Sequence, residues 1–180
     1  MNDVLMYAKY NQASNKTVID LLDKMSNDER EKDRGSFYRS FSGLLRHISD
    51  DGVRLVLGMY KTGEGKNAAV LKILSEIEKI PLLPKESLSE TQWKEFKSVV
   101  AAMDAAYVNV AEVLEENDLN LPIKIDWFGG NPVSVPFSYL LNLLLVNGVH
   151  HRGQISQIFD TLKIENDYAA IDPSFILPKI

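Results

Sequence analysis

Apolar side chains recur at helical spacing along four long stretches of the chain. Over residues 2–25, Leu5, Tyr10 (less well placed), Val18, Leu21, Leu22 and Met25 supply apolar residues at roughly helical intervals, and Lys9, Lys16, Asp20 and Lys24 supply the wet side. The charged run 27–34 and Gly35 read as a solvated connection. Ser36 is the expected cap of a second helix, because its hydroxyl can accept from an otherwise unpaired backbone N–H. Phe37, Phe41, Leu44, Ile48 and Leu55 then form a stripe predicted to be buried, and the pattern fades where Thr62, Gly63 and Gly65 favour a turn. Asn67 is placed to cap a shorter helix to about residue 78, closed by Pro81 and Pro84. Ser89 and Gln92 have the form of a capping box, opening a third long helix to about residue 116 through Phe96, Val99, Val100, Met103, Tyr107, Val110 and Leu114.

The period changes after Leu121. Ile123, Ile125 and Trp127 alternate with Lys124 and Asp126, and Gly129, Gly130 and Asn131 supply turn chemistry before Val133 and Val135, which predicts a hairpin. Pro136 starts a fourth long helix running to about residue 162. The tail carries Pro173 and Pro178 and is expected to wrap on the surface, with Ile171, Phe175 and Ile176 docking. Long helices with few strands bury their stripes against one another, so the fold class is all-α: a four-helix bundle with a small β-hairpin before the last long helix, in a single domain over residues 1–180.

Composition agrees with this class. Hydrophobic residues make up 45% and charged residues 25% of 180, ordinary for a globular chain and unlike a disordered one. The net charge of −5 argues against a nucleic-acid or anionic-membrane partner. The chain has no cysteine, which excludes disulfides, thiolate nucleophiles and zinc–thiolate sites. The apolar run 140–149 is interrupted by Asn142 and Asn147 and is too short to cross a bilayer. With no basic-then-apolar segment near Met1, a cytoplasmic location is expected.

Three histidines carry the candidate chemistry. His47 lies mid-way along the second helix, and His150 and His151 along the fourth. Asn147 and His151 are four residues apart and project to one side, and His47 meets them if these helices face each other. His151 continues the stripe Leu140, Leu144, Gly148, Ile155, Ile158, whereas His150 is turned about 100° away. Against this stands the commoner role of a helical histidine, a surface or hydrogen-bonded core residue. Asp51, one turn after His47, is either a solvated charge or an aid to the site as ligand or imidazole-orienting group. Arg152 is suited to pairing with a carboxylate of a neighbouring helix or to holding an anion. Gly153 is expected to admit a close helix approach, and Gln154 to donate to the site from behind. Ser42, Ser138 and Ser156 lack a nucleophile-elbow context, the 63–66 glycine–lysine run lacks phosphate-loop spacing, and Trp93, Trp127 and Phe128 read as packing residues.

The run His151-Arg152-Gly153-Gln154-Ile155 resembles the C-terminal signature of the DinB/YfiT-like family, and Leu44-Leu45-Arg46-His47-Ile48 resembles its first-histidine motif. The resemblance covers nearly the whole chain. It implies a four-helix bundle holding a divalent metal, nickel or zinc, on three histidines. His47 and His151 match two of these ligands. The third position is Asn147, whose neutral carbonyl is a poor donor beside imidazole and weakens the site. The resemblance further implies a homodimer and a metal-dependent transferase or hydrolase acting on a small thiol-linked substrate. The alternative is a metal-free, stress-associated bundle that binds a small ligand or a protein. No residue is assigned as a catalytic nucleophile.

Overall fold

The computed structural model describes residues 3–64, 66–84, 87–126 and 131–166. The expected contributions of Trp127, Phe128, Gly65, Gly129, Gly130 and the tail residues Ile171, Pro173, Phe175, Ile176 and Pro178 lie outside them. The all-α bundle is the observed fold. Helix α1 (Asp3–Leu22) packs along α6 (Glu90–Val113) and α8 (Phe137–Thr161), and the remaining long rod, broken into α3 (Phe41–Arg46), a π-helical turn (His47–Asp51) and α4 (Gly52–Met59), fills the fourth position against α6 and α8. Shorter helices α2 (Asn27–Glu31), α5 (Ala68–Ile77) and α7 (Glu116–Leu119) connect the rods. Strands β1 (Pro122–Ile125) and β2 (Val133–Pro136) pair antiparallel, Ile123 opposite Val135, immediately before α8.

The local start signals act where the sequence puts them. Asn67 accepts from Ala69 N, Ser89 and Gln92 form a reciprocal capping box, and Pro136 precedes the first residue of α8. Among the described residues, no helix is long and apolar enough to span a membrane.

Three expectations need correction. The charged run is not merely a solvated connection: Ser26 caps α2 there, and Arg30 is buried, donating to Met25 O and lying over the Trp93 ring. The second rod begins at Phe41, not near Ser36. Gly35 (φ 75°) and Arg39 (φ 66°) are left-handed, so the backbone turns rather than coils, and Ser40 provides the cap. Phe37 is consequently 90% exposed. Further along, Leu55 is 54% exposed while Val53, Val56, Leu57 and Tyr60 are buried. The π-helical turn explains this. An extra residue in one turn rotates everything after it by about 100°, carrying Leu55 off the stripe set by Phe41, Leu44 and Ile48.

The core has two apolar halves. Val18, Leu22, Phe41, Leu44, Ile48, Phe96, Ile155 and Phe159 belong to one, and Ala8, Val53, Leu57, Met103, Tyr107, Leu140 and Leu144 to the other. Buried polar residues lie along each rod between them: Asn11, Ser14 and Asn15 on α1, Ser49 on the π turn, Asp104 on α6, and His151 and Arg152 on α8. The candidate site sits at this level.

Candidate metal centre

His47 begins the π turn and His151 lies mid-way along α8, and the two rings meet edge to face, centroids 4.7 Å apart and planes at 89°. His151 Nδ1–H donates to Gln154 Oε1 at 2.8 Å, leaving its Nε2 as the nitrogen with a lone pair. The His47 Nε2 atom has two neighbours: the Tyr38 hydroxyl at 2.9 Å and Asn147 Nδ2 at 3.2 Å. The Tyr38 ring stacks on His47 at 4.1 Å and presents an edge to His151 at 5.1 Å.

Both imidazoles are held neutral. Burial, then the neighbouring His151, lowers the pKa of His47 from 6.5 to about 4, partly offset by the bond with Asn147. Burial also lowers that of His151, against the opposing effect of Gln154. A neutral imidazole is the form that binds a metal. Burial, followed by the charge of Asp51, raises the Tyr38 pKa.

The ring spacing can be set beside that of two imidazoles on one ion. Two imidazoles bonded to one cation at ~2.0–2.1 Å, with an angle of ~90–110° between the bonds, have centroids roughly 4.5–5.2 Å apart. The observed 4.7 Å falls inside that range. Where the resemblance implies a third histidine stands the Asn147 amide, and among the described residues no group of three His, Cys, Asp or Glu side chains is placed to hold a metal. The two imidazoles are the strong donor groups gathered at this point.

The other sequence candidates fall into place around this pair. Asp51 is exposed and lines, with His47, Asn147, Gly52, Leu55 and Leu144, an apolar-walled cavity of about 210 Å³. Gln154 orients His151 by accepting its proton, the reverse of the donation expected. His150 is exposed, its ring 4.8 Å from that of His151.

Arg152 turns away from the cavity. It is 2% exposed, and its Nη1 donates to Asn11 Oδ1 (2.8 Å) and Asn15 Oδ1 (2.9 Å), whose amide nitrogens donate in turn to the carboxylate of Asp104. Asn15 also donates to Ser49 in the π turn. Arg152 is therefore joined to a carboxylate on another helix, through two amides. The close approach assigned to Gly153 belongs to Gly148 instead: a Cβ on Gly153 meets nothing within 4 Å, whereas one on Gly148 lies 3.0 Å from both Arg152 Nη1 and Asn11 Oδ1. Burial raises the Asp104 pKa to about 7, with Asn15, Arg152 and Asn11 opposing. Sequence reasoning passed over Asn11, Asn15, Asp104 and Tyr38. Its available signal for the first two was small polar residues four apart on the buried side of α1.

An imidazole pair inside a helical bundle, one ring on a π-helical turn and the other on the last long helix, defines a histidine-centred bundle protein. The DinB family profile matches residues 1–162, and the chain belongs to the DinB family. No curated protein and no solved structure gives a significant match.

Proposed function

We propose that the His47–His151 pair, with Asn147 beside it, holds a divalent metal, nickel or zinc, and that the chain is a metal-dependent transferase or hydrolase acting on a small thiol-linked substrate. The observation that carries this reading is the meeting of two neutral imidazoles at a centroid distance suited to one ion. A divalent ion held there supplies Lewis acidity, lowering the pKa of a thiol or water brought to it. The protein's part is positional. Gln154 fixes the His151 tautomer, so that Nε2 keeps the lone pair. Leu55, Val56, Leu143 and Leu144 give the adjoining cavity apolar walls for the body of a substrate, and Asp51 marks its polar edge. Because the chain has no cysteine, the thiol belongs to the substrate.

One observation favours a second reading. The amide at position 147 makes a weaker donor set than three imidazoles, and a metal-free ligand-binding bundle would use the same cavity with His47 and Asn147 as hydrogen-bonding groups.

Calorimetric titration of untagged protein with Ni²⁺ and Zn²⁺ separates the two. The metal reading expects one ion per chain, loss of binding in His151→Ala, and at least tenfold tighter binding in Asn147→His. Absence of binding heat in both the wild type and Asn147→His, each shown folded by circular dichroism, overturns it.

A further inference from the structure

The His47 Nε2 atom is oversubscribed. It has either one lone pair or one proton, yet the Tyr38 hydroxyl and the Asn147 amide both lie within hydrogen-bond distance, at 2.9 and 3.2 Å. If Nε2 carries the lone pair, two donors share it. If it carries the proton, the phenolic oxygen and a turned-over amide oxygen share that instead. A cation resolves the conflict, because the imidazole nitrogen and the phenolic oxygen can both offer it lone pairs, and the Asn147 amide can do so once turned over to present its oxygen. The spacing agrees: donors bonded to one ion at ~2.0–2.1 Å, with angles of ~90–110° between them, are about 2.9–3.4 Å apart.

We propose that the phenolic oxygen of Tyr38 is a third protein donor of the site, giving the ion two imidazole nitrogens and a phenolate oxygen. Coordination exchanges the phenolic proton, released to solvent, for the ion. The inference rests on the metal-binding reading above and adds a ligand from outside the two histidine motifs. Phenolate is an anionic donor of a kind proteins use on iron, and it supplies the negative charge that Asn147 lacks. Tyr38 is also held in position. Its ring lies flat on His47, and its backbone is pressed so closely on α3 that a Cβ at Gly43 would sit 2.0 Å from the Tyr38 carbonyl oxygen. The glycine lets the 32–40 segment lie against the helix that carries His47 towards the site.

Copper(II) is the probe, since imidazole sites take it readily and a phenolate bonded to it produces a visible charge-transfer band. The untagged full chain is titrated with Cu²⁺ while absorption, electron paramagnetic resonance and resonance Raman spectra are recorded. The expected result is one bound copper per chain, a charge-transfer band, and tyrosinate vibrations enhanced by excitation within it. Tyr38→Phe, checked for folding by circular dichroism, is expected to lose the band and bind copper at least tenfold more weakly. The Raman measurement on wild type stands even if that variant does not fold. Bound copper without tyrosinate modes overturns the role of Tyr38 and leaves the imidazole pair standing as a site. A band that survives in folded Tyr38→Phe overturns it equally. No copper uptake by the wild type overturns both this assignment and the metal reading.

Discussion

Replacing Gly148 by alanine adds one methyl group at a crowded point of the polar layer, and the consequence can be worked from two opposing terms. Within a helix, Gly→Ala is favourable by about 0.5–1 kcal/mol, through the smaller backbone entropy lost on folding. Against this, the new Cβ lies 3.0 Å from Arg152 Nη1, 3.0 Å from Asn11 Oδ1 and 3.2 Å from Arg152 Nη2. A contact at that distance needs its neighbours to yield by a few tenths of an ångström. Here the neighbours are the donor and acceptor of one buried 2.8 Å hydrogen bond, and the donor is also committed to Asn15 at 2.9 Å. Stretching a hydrogen bond to a charged group sacrifices part of a contribution of ~1.5–3 kcal/mol, and overpacking a filled interior adds ~1–3 kcal/mol. Gly148→Ala is therefore expected to destabilise the fold by about 1–3 kcal/mol net.

Gly153 provides the control. It lies on the exposed side of the same helix, and a Cβ there meets nothing within 4 Å. Only the propensity effect remains, so Gly153→Ala should stabilise by about 0.5–1 kcal/mol. Urea unfolding of the three proteins, followed by far-ultraviolet circular dichroism, should move the midpoints in opposite directions with an unchanged slope against denaturant. Equal midpoint shifts in the two variants, or a Gly148→Ala protein as stable as wild type, would refute the claim that this layer is tightly closed around Arg152.

Two further outcomes follow from the same layer and its histidines. Arg152→Met removes the donor to Asn11 Oδ1 and Asn15 Oδ1, while Asp104, whose raised pKa lets it take up a proton, is left neutral, so the loss is that of two buried hydrogen bonds to a charged group, about 2–4 kcal/mol in urea unfolding at neutral pH; a loss below about 1 kcal/mol would show the network to be dispensable. For His47, the unfolded chain takes up a proton near pH 6.5 and the folded chain not until about 4, so the unfolded state holds more protons in that interval and acid weakens the fold. The fall from 6.5 to about 4 corresponds to ~3.4 kcal/mol, and discounting for the partial exposure of the ring leaves ~1–2 kcal/mol. Asp104 acts in the opposite sense, because its raised pKa lets the native state hold the extra proton between about 7 and 3.8. The measurement is therefore the difference in stability between wild type and His47→Gln from pH 7.5 to 4. That difference should narrow by ~1–2 kcal/mol on acidification, whereas a pH-independent difference would contradict a depressed His47 pKa.

What the sequence disclosed followed the range of the interactions concerned. Asn67, Ser89 with Gln92, and Pro136 act on backbone groups within three residues, so their helix starts could be read directly. The second rod ends where the glycines predict, but its start and its later register differ from the expectation for reasons that spacing does not carry. Gly35 and Arg39 take left-handed backbone conformations that delay its start, and the π turn then moves Leu55 out of register and Val53, Val56 and Leu57 into it. The histidine pair was legible because imidazoles are few and Asn147 and His151 share a face. Tyr38 was hidden, since a residue in an irregular connection has no period to betray it.

The polar layer escaped for a different reason. Pattern reading assigns polar residues to solvent, yet Asn11, Asn15 and Asp104 lie on buried faces because they satisfy one another and Arg152. This layer and the imidazole pair form one construction. Arg152 follows His151 directly, and Ser49 lies two residues beyond His47, so each segment carries one residue tied into the network close to one whose ring belongs to the imidazole pair. Apolar packing between helices tolerates small rotations of one rod against another, whereas hydrogen bonds of 2.8–3.3 Å between four segments do not. A buried charge fixed by two amides on α1 thus sets the rotation of α8, and with it the direction in which His151 points towards His47. On this account the arginine of the His-Arg-Gly-Gln motif aims the preceding histidine, and the glycine that makes room for it is Gly148, four residues earlier, not the one inside the motif.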